Sequence, residues 1–255
     1  MIDVHAHLEQ PDYDSDRDQV IEMCKQKLNA VITCCANPND FKLTMDMVDK
    51  NKNFIFATFS IHPIYVKEIN EVQKKEFFDL IVKNKDKIVG IGETGLDYFH
   101  VKENEWREKQ KELFREHISL AKKLNKPIVI HSRDSIDDAI NILEQENTKN
   151  VLLHLFGARH LVKKIIDNNW SISVGPIAQR SKTHKKIIRD MPIENIMLET
   201  DSPWFGPEGK TNDPTAVIGV ASRISEIKKI TPEEVDKITT QNAIKFFDLK
   251  EITKN

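Results

Sequence analysis

The chain has 255 residues, 39% hydrophobic and 31% charged, with 38 Lys+Arg against 40 Asp+Glu and a formal net charge of −2. That length and apolar content support a sizeable buried core and exclude a disordered chain, and 8 glycines with 10 prolines exclude a collagen-like or linker-dominated one. The charge balance excludes a protein that coats nucleic acid through a global basic surface, but it allows a local site where bound metal supplies positive charge. Cys24, Cys34 and Cys35 are an odd number with two adjacent and no CxxC pair, a poor disulfide or thiolate-zinc framework that favours a reducing compartment. Met1 is followed at once by Ile2, Asp3 and a histidine pair, and no apolar run approaches a membrane span. The expectation is a cytoplasmic protein with no membrane partner and no obligate protein partner.

Short β-rich apolar runs alternate with longer amphipathic ones along the chain. Strands are expected at Met1–His5, Ala30–Cys35, Phe54–Ser60, Ile88–Gly92, Pro127–His131, Val151–His154, Ser171–Gly175 and Asn195–Thr200. Most are continuous in Val, Ile, Leu or Phe, as in strands covered on both faces. Between them, Val20, Ile21, Cys24 and Leu28 follow Ser15, an expected N-cap. Trp106, Gln110, Leu113, Phe114, Ile118, Ala121 and Leu124 recur at helical spacing, and Thr231-Pro232-Glu233-Glu234 reads as a capping box. Eight strand–helix units predict an α/β protein, a (β/α)8 TIM barrel forming one domain over residues 1–255. A doubly wound open sheet usually needs a glycine-rich first loop, and His5-Ala6-His7-Leu8 has none.

The active site of such a barrel lies at the carboxyl ends of its strands. His5 and His7 stand two residues apart on an extended segment and can face one ion. Glu93 closes an apolar strand among glycines, where an unpaired carboxylate is costly. His131 and His154 each terminate an apolar run, and Asp201 follows the eighth strand. Each alone has a bland reading: a loop hydrogen bond, a salt-bridged acid, a satisfied core histidine or a turn residue. Jointly, four histidines and two carboxylates converge on one mouth, more than one tetrahedral zinc needs. The expected arrangement has two divalent ions: His5, His7 and Asp201 on one, His131 and His154 on the other, and Glu93 bridging. Nitrogen and oxygen donors without sulfur suit zinc, manganese or magnesium. Asp201 is the expected general base, with Glu93 and His62 as further catalytic candidates. His62 is expected to stand behind the metal ligands or to contact substrate rather than bind metal, and a structural loop histidine is its bland reading. Arg133 could present its fork to a phosphate or pair with Asp134 or Asp137. The basic run Gln179–Lys186 reads as a solvated helix face or a backbone contact. Trp204 and Phe205 read as base-stacking residues or a barrel cap. His100, His117, His160 and His184 receive no role.

These motifs resemble the TatD family of metal-dependent deoxyribonucleases, within the amidohydrolase-like TIM-barrel hydrolases. The resemblance covers almost the whole chain. It is carried by His5 and His7, Ile61-His62-Pro63, the GETGLDY motif at Gly92–Tyr98, Pro127–Arg133 with its HSR, the TDSP motif at Thr200–Pro203, Asn212-Asp213-Pro214, and Asn242-Ala243 with Phe246-Phe247. It implies Mg²⁺- or Mn²⁺-dependent cleavage of DNA phosphodiesters, often as a 3′ exonuclease, on single-stranded DNA or frayed ends. Two departures bear on substrate preference. The segment after His154 reads Leu155-Phe156-Gly157-Ala158 where the family usually has a small residue and then Phe-Ser-Gly. Lys210 stands where an arginine is common, and is the expected second phosphate contact beside Arg133. An amidohydrolase or D-aminoacyl ester hydrolase, on a non-nucleic-acid or tRNA substrate, is the rival enzyme reading, since a barrel does not fix its substrate. Many relatives of that architecture bridge their metals with a modified lysine on strand four, where this chain has Glu93. A non-enzymatic barrel with structural metal is the second rival.

Overall fold

The computed structural model describes residues 1–250 and Ile252. Among them, eight parallel strands run in sequence order around one sheet: β1 (Ile2–Ala6), β2 (Ala30–Cys35), β3 (Ile55–Phe59), β4 (Gly90–Asp97), β5 (Ile128–Arg133), β6 (Val151–Leu153), β7 (Ser171–Val174) and β8 (Ile196–Leu198). Helices alternate with them: α1 (Arg17–Lys25), α2 (Phe41–Lys50), α3 (Glu71–Lys83), α4 (Asn104–Leu124), α5 (Ile136–Gln145), α6 (Val162–Asp167), α7 (Lys182–Asp190), α8 (Val217–Lys228) and α9 (Pro232–Phe247). This is the (β/α)8 barrel read from the sequence. The capping box at Thr231 and Glu234 opens α9. At α1 the N-cap position is Asp16 rather than Ser15, and no side chain caps it. No described helix is long and apolar enough to cross a membrane. The three cysteines are buried and unpaired.

Side chains alternate between two buried clusters, as the two-residue period of a strand requires. Ile2, Val4, Ile32, Val129, Leu152 and Met197 point inward and meet Phe247 and Leu249, which close the lower end. Val31, Ile91, Ile128, Ile130, Leu153 and Leu198 point outward into the helices. Continuing the inward row by two residues from Val129 reaches His131. The same step from Leu152 reaches His154, and from Met197 it passes Glu199 to Asp201.

Two strands break this rhythm. On β1 the register runs Asp3 to Val31 and then Ala6 to Thr33, and on β4 it runs Ile91 to Ile128 and then Thr94 to Ile130. Each bulged strand spends three residues where its partner spends two. An extra residue flips the facing of everything beyond it. His5 and His7 are thereby turned to the inward face that Val4 occupies lower down. Glu93 turns inward likewise, although Ile91 two residues earlier points out. This corrects the reading of Glu93 as the end of its strand. β4 continues through the bulge to Asp97, and β5 continues past His131 to Arg133. Gly95 permits that continuation: its φ is +141°, and a Cβ there would lie 2.1 Å from the His131 carbonyl oxygen.

β8 meets β1 in a seam tied mostly above the last residue of β8. The Asp201 N–H donates to the His5 carbonyl at 2.9 Å and the His7 N–H donates to the Ser202 carbonyl at 2.7 Å. The buried Asp3 carboxylate accepts the Thr200 N–H at 3.1 Å, the Thr200 hydroxyl at 2.6 Å and the His5 N–H at 3.1 Å. Burial pushes the Asp3 carboxyl well above its usual range, and these donors only partly offset it. Asp3→Ala leaves buried donors unpaired, and orphaned buried groups cost about 1–3 kcal/mol each. Denaturant unfolding of Asp3→Ala should show a loss on the order of 3 kcal/mol. A loss within about 0.5 kcal/mol, the range of an ordinary surface change, would remove the seam from the account.

Candidate metal centre

A cleft of about 1300 Å³ opens at the carboxyl end of the barrel, with His7, Glu93, His131, His154 and Asp201 in its wall. Glu93 stands at its centre and divides its two oxygens. Oε1 lies 3.6 Å from His5 Nε2 and 3.3 Å from His7 Nε2. Asp201 Oδ1 lies at the same 3.6 and 3.3 Å from those two nitrogens, which are 3.2 Å apart. Oε2 lies 3.2 Å from His131 Nδ1, 3.2 Å from His154 Nε2 and 3.9 Å from His62 Nε2. The structure thus brings together all six residues expected to hold metal, and adds His62 to the second group.

The outer nitrogens decide what the inner ones can do. His7 Nδ1 meets Glu9 Oε1 at 3.1 Å, and Glu9 is itself fixed by the Thr33 hydroxyl at 2.8 Å. His131 Nε2 meets Asp97 Oδ2 at 3.1 Å, and His154 Nδ1 faces Glu199 Oε2 at 3.5 Å. A carboxylate only accepts, so the outer nitrogens of His7 and His131 carry the proton and their inner nitrogens present lone pairs. His154 Nδ1 makes no hydrogen bond among the described residues, and the nearby Glu199 carboxylate favours a proton on that same outer nitrogen. His62 is the reverse. Its Nδ1 accepts the Ile64 N–H at 3.2 Å, so its proton sits on Nε2, facing Glu93. Burial, reinforced by the His131 charge, pushes the His62 imidazole down to about 3. His62 is therefore a neutral donor into the cleft and a poor metal ligand. The remaining groups are lone pairs on two carboxylates and four imidazoles. That donor set fits divalent cations, and the mixture of nitrogen and oxygen admits zinc, manganese or magnesium.

Charge balance points the same way. Burial would raise the Glu93 carboxyl, but His154, His5, His62 and His131 outweigh it and hold it well below the ordinary range. Burial would depress His7, but Asp201, Glu9 and Glu93 hold it well above the usual imidazole value. Glu93 and Glu199 do the same for His154, and Asp97 with Glu93 for His131, each against burial.

The three acids at the outer nitrogens are the functional residues that the sequence reading missed. Glu9 extends the HxH pattern by two residues, Asp97 lies inside the GETGLDY motif, and Glu199 precedes Asp201 by two. Behind Asp97, the buried Gln110 of α4 accepts the Asp97 N–H at 3.0 Å and donates to the carbonyls of Asp97 and Pro63 at 3.2 and 3.0 Å. One turn-pair further, His117 Nε2 accepts the Ile61 N–H at 3.1 Å. His117 had no assigned role, and it fixes the peptide next to His62. His100 and His184 line the cleft, and His100 Nδ1 meets Asp97 Oδ2 at 2.8 Å. Arg133 pairs with neither Asp134 nor Asp137. Its guanidinium stacks on Phe99, 3.9 Å from the ring centroid, and lines the cleft. Lys210 is not brought to the site: it stands exposed in the loop after Gly206, outside the cleft wall. Glu199 also holds the backbone of the segment after His154. Its Oε1 accepts the Leu155 N–H at 2.6 Å, holding Leu155 at φ +45°.

Metal and protons compete for the same nitrogens. His7, His131 and His154 are held protonated above the ordinary imidazole range in the metal-free protein, so binding must displace protons. The sign is that affinity rises with pH through neutrality and levels off only above the raised values. Calorimetric titration with Mn²⁺ should show net proton release and tighter binding at pH 8 than at pH 6. Glu199→Gln should weaken binding about 10–100-fold, the usual effect of losing an outer-shell partner. Affinity independent of pH would contradict the donor set.

Residues 2–248 match the family described as TatD related DNase. The chain is 34% identical to an uncharacterized metal-dependent hydrolase, YabD, of Bacillus subtilis, over 97% of this chain and 98% of that one. It is 33% identical to deoxyribonuclease TATDN3 of Homo sapiens, over 97% of this chain and 94% of that one. Among solved structures, YJJV, a TatD homologue from Escherichia coli, superposes with a TM-score of 0.89 over 97% of this chain and 98% of that one. At 22% identity that likeness speaks for the barrel alone. With the family match running from the first strand to the last helix, the chain belongs to the TatD family and is a metal-dependent hydrolase acting on ester bonds.

Proposed function

We propose that this chain hydrolyses DNA phosphodiester bonds as a 3′ exonuclease on single-stranded or frayed ends, with two divalent ions at the mouth of the barrel. The observation that carries the reading is the division of Glu93: one oxygen faces His5 and His7, the other His131 and His154. His5, His7 and Asp201 would hold one ion, His131 and His154 the other, and Glu93 both. Bound there, divalent ions supply a water of lowered pKa and a positive field for the phosphate oxygens.

The chain's own groups do the rest. Asp201, whose Oδ1 faces His5 and His7, would accept the proton of the attacking water. Burial opposes ionisation of Asp201, but His7, His154 and His5 outweigh it and keep the carboxylate charged and able to do so. His62 presents Nε2–H toward the phosphate and donates to an oxygen on which charge develops. Arg133 is exposed, and its stack on Phe99 keeps the guanidinium fork at the cleft for the flanking phosphate. The two human and bacterial relatives support hydrolysis in general, and the deoxyribonuclease name of one supports a DNA substrate.

The test compares a labelled single-stranded oligonucleotide with a panel of N-acyl amides and D-aminoacyl esters. Chelation should abolish oligonucleotide cleavage and Mn²⁺ or Mg²⁺ should restore it. Asp201→Asn should lower turnover on the order of 10²–10⁴, the range for a general base. Arg133→Ala should weaken the charged substrate about tenfold or more, the scale of a charge-assisted hydrogen bond, and spare the neutral ones. Turnover confined to the amides or D-aminoacyl esters, indifferent to Arg133→Ala, would replace the nuclease reading with the amidohydrolase one.

A further inference from the structure

The loop after Asp201 carries two large aromatic side chains for which the chemistry above has no use. Trp204 and Phe205 are 45% and 42% exposed, and both line the cleft. Large aromatics left half in water forgo much of the stabilisation that burial offers, so their exposure calls for a reason. Slackness of the loop is not that reason. The Trp204 N–H donates to the Asp201 carbonyl at 3.0 Å, and the Asn212 N–H donates to the Pro203 carbonyl at 2.8 Å. The buried Tyr13 hydroxyl donates to the Asn212 carbonyl at 2.6 Å and ties the loop to the body of the barrel. At Gly206 the two limbs of the loop cross so closely that a Cβ would lie 1.9 Å from the Lys210 carbonyl oxygen. Phe205 is held at φ +60°, a conformation that a bulky side chain adopts only where its surroundings impose it.

The position of this ledge is as informative as its exposure. The Trp204 ring packs against His7, centroids 4.8 Å apart at 61°, so the ledge abuts the metal-binding cluster itself. Arg133 also lines the cleft. The cleft therefore joins an aromatic surface and a guanidinium to a floor of metal-binding groups. A nucleotide has the matching three parts: a flat π-face, a flanking phosphate and a scissile phosphate. A simple N-acyl amide without a ring has no part that needs an aromatic shelf beside the metals.

We infer that Trp204 and Phe205 form a stacking ledge for the nucleobase of the terminal nucleotide, so that the site takes unpaired ends whatever their sequence. The inference rests on the phosphodiesterase reading and supplies what that reading lacks, a physical basis for strand preference. Stacking is tolerant of sequence because every base has a π-face. At a paired end the last base is held by its partner and by the pair beneath it, so it must unpair before it can turn onto a ledge beside the metals.

The experiment reads the ledge without requiring turnover. The chain has three tryptophans. Trp170 is buried with its indole N–H on the Thr148 carbonyl, and Trp106 lies on α4 beside Lys67 and Lys109. Trp204 is thus the tryptophan in the cleft. Titrating the metal-loaded protein with a nucleoside 5′-monophosphate should quench tryptophan fluorescence, and 2-deoxyribose 5-phosphate should not. Trp204→Leu should lose that quench and weaken nucleotide binding on the order of tenfold, the scale of one stacked base. Trp204→Phe, which keeps a ring, should retain most of the affinity in competition. On oligonucleotides, the wild type should prefer a base-bearing 3′ end to an abasic one by a similar factor, and Trp204→Leu should erase that preference. Equal quenching by the sugar phosphate, or a base preference unchanged in Trp204→Leu, would overturn the ledge. Quenching by the nucleotide with no cleavage of any oligonucleotide would support the ledge and sink the phosphodiesterase reading instead.

Discussion

A buried carboxylate must be compensated, and among the described residues Glu93 has no lysine or arginine to do it. Its ionic partners there are imidazoles, arranged on both of its oxygens. Two of those imidazoles, His7 and His131, are in turn fixed by a second acid on the far ring nitrogen, and a third, His154, faces one at 3.5 Å. This layering of acid, histidine and acid forces the inner nitrogens to present lone pairs. Lone pairs gathered within hydrogen-bond distance repel unless a proton or a cation sits among them. Protons can serve, and the neighbouring carboxylates favour them by holding His7, His131 and His154 above the ordinary imidazole range. Divalent cations serve better, because each satisfies several lone pairs at once.

The fold exists in the form this cluster requires. Regular strands would place His5 and Glu93 among the helices, on the outward face. One extra residue in β1 and one in β4 reverse the facing and turn both inward. The barrel's closing seam uses the same segment, since the backbones of His5 and His7 bond to those of Asp201 and Ser202. The backbone bonds that close the barrel therefore also place His5, His7 and Asp201 beside one another, with Asp3 and Thr200 bonded just below them. On the opposite side, Gln110 and His117 of α4 hold the backbone beside Asp97 and His62, so a helix outside the barrel sets the geometry at its mouth.

Much of this was legible in the sequence, for a physical reason. Strands covered on both faces must be apolar throughout, so eight runs such as Ala30–Cys35 and Val151–Leu153 announce the barrel. A polar residue directly after such a run then stands out, as His154 does. What stayed hidden depends on register. A bulge leaves no composition signal, so β4 read as ending at Gly92 when it runs on to Asp97. Glu9, Asp97 and Glu199 look like ordinary acids until the histidine rings are placed against them. The role of His62 turns on one N–H, that of Ile64, which no pattern of residues reveals. Lys210 illustrates the converse: its place near the TDSP motif suggested a phosphate contact, and the crossing of the loop at Gly206 leaves it outside the cleft.

The central claim is that Glu93 serves both halves of the cluster. It is tested most directly by metal content: elemental analysis of the purified protein against that of Glu93→Gln, each equilibrated with Mn²⁺, with the fold checked by circular dichroism. The account predicts two ions per chain in the wild type and loss of both from the folded variant, because the amide removes the shared charge from each group of histidines. A folded Glu93→Gln protein that keeps one full equivalent of tightly bound metal would contradict it.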